Sequence, residues 1–97
     1  MLLSYIEGLA AMYRDGIYVS KNFVRAYDLY LEERDYYYEL NINTMVQGML
    51  KKMGARIKQD GDFGPNSCNA LRSIVPGGAC GRIPSRADVK ALATHLL

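Results

Sequence analysis

The sequence has no Trp, one His, two Cys and three Pro among 97 residues, and each scarcity removes a class of function. The lone His95 has no Ser, Cys or carboxylate constellation around it, so a non-catalytic chain is expected. Cys68 falls near a helix start, where a thiol pKa is lowered, yet no base accompanies it in sequence. Two Cys and a distant His do not supply the four ligands of a structural zinc site. Asp60-Gly61-Asp62 begins like a calcium loop, but no acidic residue follows at the twelfth position. No metal and no cofactor are therefore expected. No window approaches the roughly 18 apolar residues of a membrane span. The first residues, Met1–Glu7, lack a basic n-region and are interrupted by Glu7 before an apolar h-region forms. Either the protein is cytosolic, or this chain is part of a longer one whose export signal lies elsewhere.

A strong charge of one sign is also lacking. Twelve Lys and Arg stand against ten Asp and Glu, a formal net charge of +2. Only Lys51, Lys52, Arg56 and Lys58 approach a basic patch, and a solvated helix face accounts for them. No nucleic-acid partner is expected, because phosphate binding needs a massed basic face.

What is present points to helices. Hydrophobic residues make up 49% of the chain and charged ones 23%, the composition of a folded globular protein. Tyr5, Ile6, Leu9, Met12 and Tyr13, preceded by Leu2, give one apolar stripe at helical spacing, ended by Asp15-Gly16. Phe23, Ala26, Tyr27, Tyr30 and Leu31 give a second stripe that starts near Asn22. The charged run Glu32–Asp35 reads as a solvated helix end or its continuation. Tyr36, Tyr37 and Tyr38 follow; three successive Tyr on a helix point three ways, so some of them line an interface or groove. Ile42, Met45, Val46, Met49, Leu50 and Met53 form a single buried face, capped by Gly54. After a turn cluster at residues 59–65, Pro65 opens a fourth helix through Cys68 and Leu71. Residues 75–81 are a Gly-rich loop. Ser85 and Asp88 mark a last N-terminus, followed by Val89, Leu92, Ala93 and Leu96. Cys68 and Cys80 are either a disulfide stapling the fourth helix to that loop or two independent small core residues. The chain is thus expected to be all-α, a helical hairpin followed by a three-helix unit.

Residues 4–34 resemble a Sel-one-like repeat, a helical hairpin related to the tetratricopeptide class. Leu9, Tyr13, Gly16, Val19, Ala26 and Tyr30 match its pattern, and Tyr18 replaces a turn glycine. One such hairpin does not bury its own apolar face and needs a neighbour. Residues 41–97 resemble the three-helix peptidoglycan-binding domain of bacterial envelope proteins. Gln47, Leu50, Gly54, Asp60, Gly61, Phe63, Gly64, Pro65, Ala70 and Leu71 match, with Ser67 in place of Thr. The pattern departs after Leu71, where Arg72-Ser73-Ile74-Val75 and the loop with Cys80 stand. In the matching turn, Asp60 is expected to accept backbone amides, Gly61 and Gly64 to supply backbone freedom, and Phe63 to plug the core.

These resemblances imply two units, residues 1–40 and 41–97. They also imply a periplasmic or wall-facing module that attaches to the glycan or stem peptide of peptidoglycan. Lys58, Asp62, Asn66, Asn69 and Arg72 would hold the ligand. The rival expectation is a scaffold whose hairpin and Tyr36, Tyr37 and Tyr38 dock another envelope protein, the bundle being only a cap.

Overall fold

A computed structural model describes residues 5–34, 36–78 and 80–96. Their secondary structure consists of five helices: α1 Tyr5–Asp15, α2 Phe23–Glu33, α3 Tyr38–Lys52, α4 Pro65–Ile74 and α5 Arg86–His95. Leu2 of the first stripe, Asp35 of the acidic run and Ala79 of the Gly-rich loop lie outside the described residues.

The helices stop and start where the local chemistry demands. Gly16 has φ +70°, and its N–H and that of Ile17 both return to the Met12 carbonyl, at 2.7 and 3.0 Å. A Cβ at Gly16 would stand 3.1 Å from that of Lys21, so the left-handed backbone and the close approach both favour glycine. The Asn22 side chain caps α2 by accepting the Arg25 N–H at 3.0 Å. α5 opens on a reciprocal box, the Ser85 hydroxyl accepting Asp88 N–H at 3.1 Å while Ser85 N–H reaches the Asp88 carboxylate at 3.3 Å.

Tyr18 also takes a left-handed conformation, φ 67°, with its ring 93% exposed. A side chain there costs about 1–2 kcal/mol of backbone strain, and the ring recovers little by burial. Tyr18→Gly is therefore expected to raise stability by about 0.5 kcal/mol, the gain being trimmed by glycine's greater freedom in the unfolded chain. A urea midpoint that falls instead would show that the tyrosine ring holds the turn.

α3 occupies the centre. Its Ile42, Met45, Val46, Met49 and Leu50 are all buried, the period-3.6 face seen in sequence. α1 packs on α2, α2 lies against α3 and α5, and α3 also meets α4 and α5. One continuous apolar cluster runs from Ala10 and Ala26 through α3 to Leu71, Val89 and Leu92. The hairpin finds its neighbour within the chain: α2 buries Ala26, Tyr27, Leu29 and Tyr30. Buried Tyr27 donates its hydroxyl to the Pro84 carbonyl at 2.8 Å, satisfying the polar tip of an otherwise apolar contact. Above it Arg86 grips the Asp28 carboxylate through two hydrogen bonds of 2.9 and 3.2 Å, an exposed pair that solvent screens.

The three tyrosines differ from their helical reading. Tyr36 and Tyr37 precede α3 in a turn, their rings edge-to-face at 4.9 Å, and only Tyr38 is helical. Tyr38 packs against the core while Tyr36 is 91% exposed. The turn aims them, and the helix period does not apply.

Candidate functional site

The polar centre of the bundle is Gln47, fully buried on the inner side of α3. Its carbonyl oxygen accepts the Gly61 N–H at 2.8 Å. Its amide nitrogen lies 3.0 Å from the Ser67 hydroxyl, 3.0 Å from the Asp62 carbonyl and 3.2 Å from Asp60 Oδ1. One side chain thus clamps the 60–62 turn and the first turn of α4. One helical turn earlier, Asn43 Nδ2 donates to the carbonyls of Gly61 at 3.1 Å and Arg82 at 2.9 Å. This links the same turn to the segment before α5.

Asp60 does what its position in the turn predicts, accepting Asp62 N–H at 3.0 Å. That backbone donor, followed by the Gln47 amide, holds its carboxyl below the usual aspartate range. Gly61 has φ +81°, and a Cβ there would run into the Leu40 side chain and come within 3.1 Å of Thr44 Oγ1. Phe63 is buried in the core as expected. Gly64 is a correction: its φ is −83°, a Cβ would meet nothing within 4 Å, and it serves only as the N-cap position of α4. No positive φ or tight contact asks for glycine there.

On the outer side of this frame lies an open groove of about 590 Å³. Lys51 at the end of α3, Arg56, Lys58, Asp60, Asp62, Asn66 and Ser67 are among its lining. Of the five ligand residues expected from sequence, Lys58, Asp62 and Asn66 meet here. Asn69 and Arg72 do not line the groove. α4 carries them along its axis, Arg72 about 9 Å beyond Asn66 at 1.5 Å per residue. Arg72 Nε instead donates to the Gly78 carbonyl at 3.2 Å, bracing the Gly-rich loop. The first turn of α4 has no side-chain cap, so its positive end is left to the groove.

A second cleft, of about 430 Å³, opens where the α1–α2 turn meets α3. Lys21 sits beside Lys51 and Lys52 here, and Arg14, Asp15, Phe23, Met45 and Met49 also line the opening. The solvated-face account of Lys51 and Lys52 is therefore incomplete. α3 ends at Lys52, and a residue 31 positions earlier joins the patch. The nearby Lys21 ammonium pushes the Lys52 pKa down. Nothing in the spacing of Lys21 announces this, because the docking angle of the hairpin creates it.

Cys68 and Cys80 form a disulfide, with Cα atoms 5.6 Å apart. His95 is exposed on the last helix. Among the described residues no group of three or more His, Cys, Asp or Glu is placed to hold a metal ion. No helix among them is long and apolar enough to cross a membrane. No protein family, curated protein or solved structure matches the chain.

Proposed function

We propose that the protein is a non-catalytic binding module that attaches to peptidoglycan through the groove beside the 60–62 turn. The observation that carries this reading is the convergence of Lys58, Asp62 and Asn66 on one open groove. Their backbone support is braced by buried Gln47. Amide, carboxylate and ammonium groups set in a rigid rim suit a ligand rich in hydroxyls, acetamido groups and carboxylates, which is the chemistry of glycan and stem peptide. The motif Asp60–Pro65, which resembles that of peptidoglycan-binding domains, builds the same frame. The Cys68–Cys80 disulfide fits an oxidising, wall-facing compartment.

The test is cosedimentation with purified sacculi at low and high salt. The wild-type protein is expected in the pellet at both. The double variant Lys58→Ala/Asn66→Ala should lose at least about fivefold of the bound fraction, which is about 1 kcal/mol. Asn69→Ala/Arg72→Ala should keep it. Complete recovery of the wild type in the supernatant overturns the proposal.

Exposed Tyr36 keeps a second function in play, a scaffold docking another envelope protein through Tyr36 and the partly exposed Tyr37. Tyrosine is favoured at the centres of such contacts. The hairpin's inner face is already occupied by α3 and α5, so Tyr36 and Tyr37 are the more available part of that surface.

A further inference from the structure

The cleft between the α1–α2 turn and α3 has a charge pattern that folding alone does not explain. Lys51 and Lys52 stand in the last turn of α3, where cations complement the negative end of the helix dipole. That accounts for two lysines. It does not account for Lys21, which the hairpin brings to the same opening and against Lys52. Like charges so placed repel, and the repulsion is relieved by a counter-anion.

One neighbouring carboxylate, Asp15, feels Lys21 and Lys52, but it does not pair with them. The carboxylate of Asp15 is taken up by Arg14, through hydrogen bonds of 2.8 and 2.7 Å, and Arg14 also donates to Tyr30 Oη at 3.0 Å. Among the described residues, no carboxylate lies within ion-pairing distance of Lys21, Lys51 or Lys52. The cleft holds four cations against one carboxylate, on a chain whose formal net charge is +2. The excess positive charge of the molecule is therefore gathered at this opening.

The floor is apolar. Phe23 is the half-buried apolar side chain of the lining, with Lys21 Nζ 5.6 Å from its ring centroid, while Met45 and Met49, buried in the core, show only their edges. Methionine fills irregular shapes and adapts to what lies on it. Gly48, also in the lining, leaves room for Gln59 to cross α3 and donate to the Thr44 carbonyl at 3.0 Å, which closes one end. A volume of about 430 Å³ is in the range of small-molecule sites. It exceeds what a bare inorganic anion fills.

We propose that this cleft binds an organic anion in which a carboxylate is carried on an apolar body, the chemistry of a peptide C-terminus with apolar side chains. The carboxylate sits among Lys21, Lys51 and Lys52, and the apolar part lies chiefly on Phe23, touching the edges of Met45 and Met49. The site is separate from the groove assigned to the wall and shares only Lys51 with it. Either assignment stands or falls without the other.

The experiment is an amide-resolved NMR titration of the whole chain with four probes: N-acetyl-Leu-Leu as the free acid, its C-terminal carboxamide, octanoate and inorganic phosphate. The free acid is expected to shift Lys21, Phe23, Gly48, Lys51 and Lys52 saturably, at least about tenfold more tightly than the carboxamide, a difference of about 1.4 kcal/mol. Octanoate, which offers the same two features, should bind at the same residues; phosphate, which lacks the body, should bind at least tenfold more weakly than the acid. Lys21→Gln/Lys52→Gln should abolish the shifts and leave the chain folded, the lost repulsion offsetting the lost helix-dipole contribution of Lys52. Lys21→Arg/Lys52→Arg should restore them. Equal response to acid and carboxamide, phosphate binding as tight as the acid, or shifts confined to other residues would each overturn the proposal.

Discussion

Gln47→Leu is expected to destabilise the protein by about 3 kcal/mol, because two buried polar groups lose their partner at once. The Gly61 N–H and the Ser67 hydroxyl are both buried, and each is hydrogen-bonded to Gln47. An unsatisfied buried group of this kind costs about 1–3 kcal/mol, and the added apolar contact of leucine offsets only part of the pair. The Asp60 carboxylate suffers less, since it keeps the Asp62 N–H and is exposed. Urea denaturation should show the midpoint moving down by about 1–2 M at an ordinary m-value for a chain of this size. Gln47→Glu should be worse at neutral pH. The introduced carboxylate accepts from Gly61 but donates to nothing, and it faces Asp60. Its folded-state pKa is raised, so its deficit should shrink as the pH falls and the carboxyl becomes protonated. A loss of less than 1 kcal/mol for Gln47→Leu would show that the clamp is not what holds the turn.

Removing the Cys68–Cys80 bridge should cost a similar amount by a different route. A cross-link over 12 residues limits the unfolded chain, and loops of this size contribute about 3 kcal/mol. For a domain of this length that corresponds to a fall in melting temperature of roughly 12–24 °C. Calorimetry with and without reductant should show the fall. Cys68→Ser/Cys80→Ser should melt at the low value and ignore reductant. The loop between α4 and α5 remains held in part by Arg72 on the Gly78 carbonyl and by Gly78 packed close to Leu71. The variant should therefore still fold at room temperature. A melting point indifferent to reductant, with two titratable thiols in the native protein, would contradict the bridge.

The helices were legible because each carries two concordant signals. Ile42, Met45, Val46 and Met49 repeat at the helical period, and a left-handed glycine, Gly54 at φ +99°, closes the stretch. Ser85 and Asp88 are three residues apart and do cap each other. The turn at 60–62 was legible for the same reason, since Asp60 and Gly61 act on their immediate neighbours. Gln47 was visible as a matching residue but not as a hub, because its partners lie 13 to 20 positions away. The groove was half legible. Lys58, Asp62 and Asn66 lie close to the turn in sequence and line the groove, while Asn69 and Arg72 do not line it, because the direction of α4 carries them away. Lys21 beside Lys52 was out of reach altogether. Their meeting depends on how α2 lies on α3, and no local pattern encodes a docking angle.

The contact between Tyr27 and Pro84 also sets a timetable for synthesis. The ring of Tyr27 belongs to α2, and its hydroxyl waits for a carbonyl 57 residues later. At about 5–20 residues per second, roughly 3–11 s pass before that partner is even translated. Through that interval the hairpin is made but the face of α2 that carries Tyr27 lacks the α5 cover. The nascent chain therefore carries an uncovered apolar face until α5 is made and closes the core cluster.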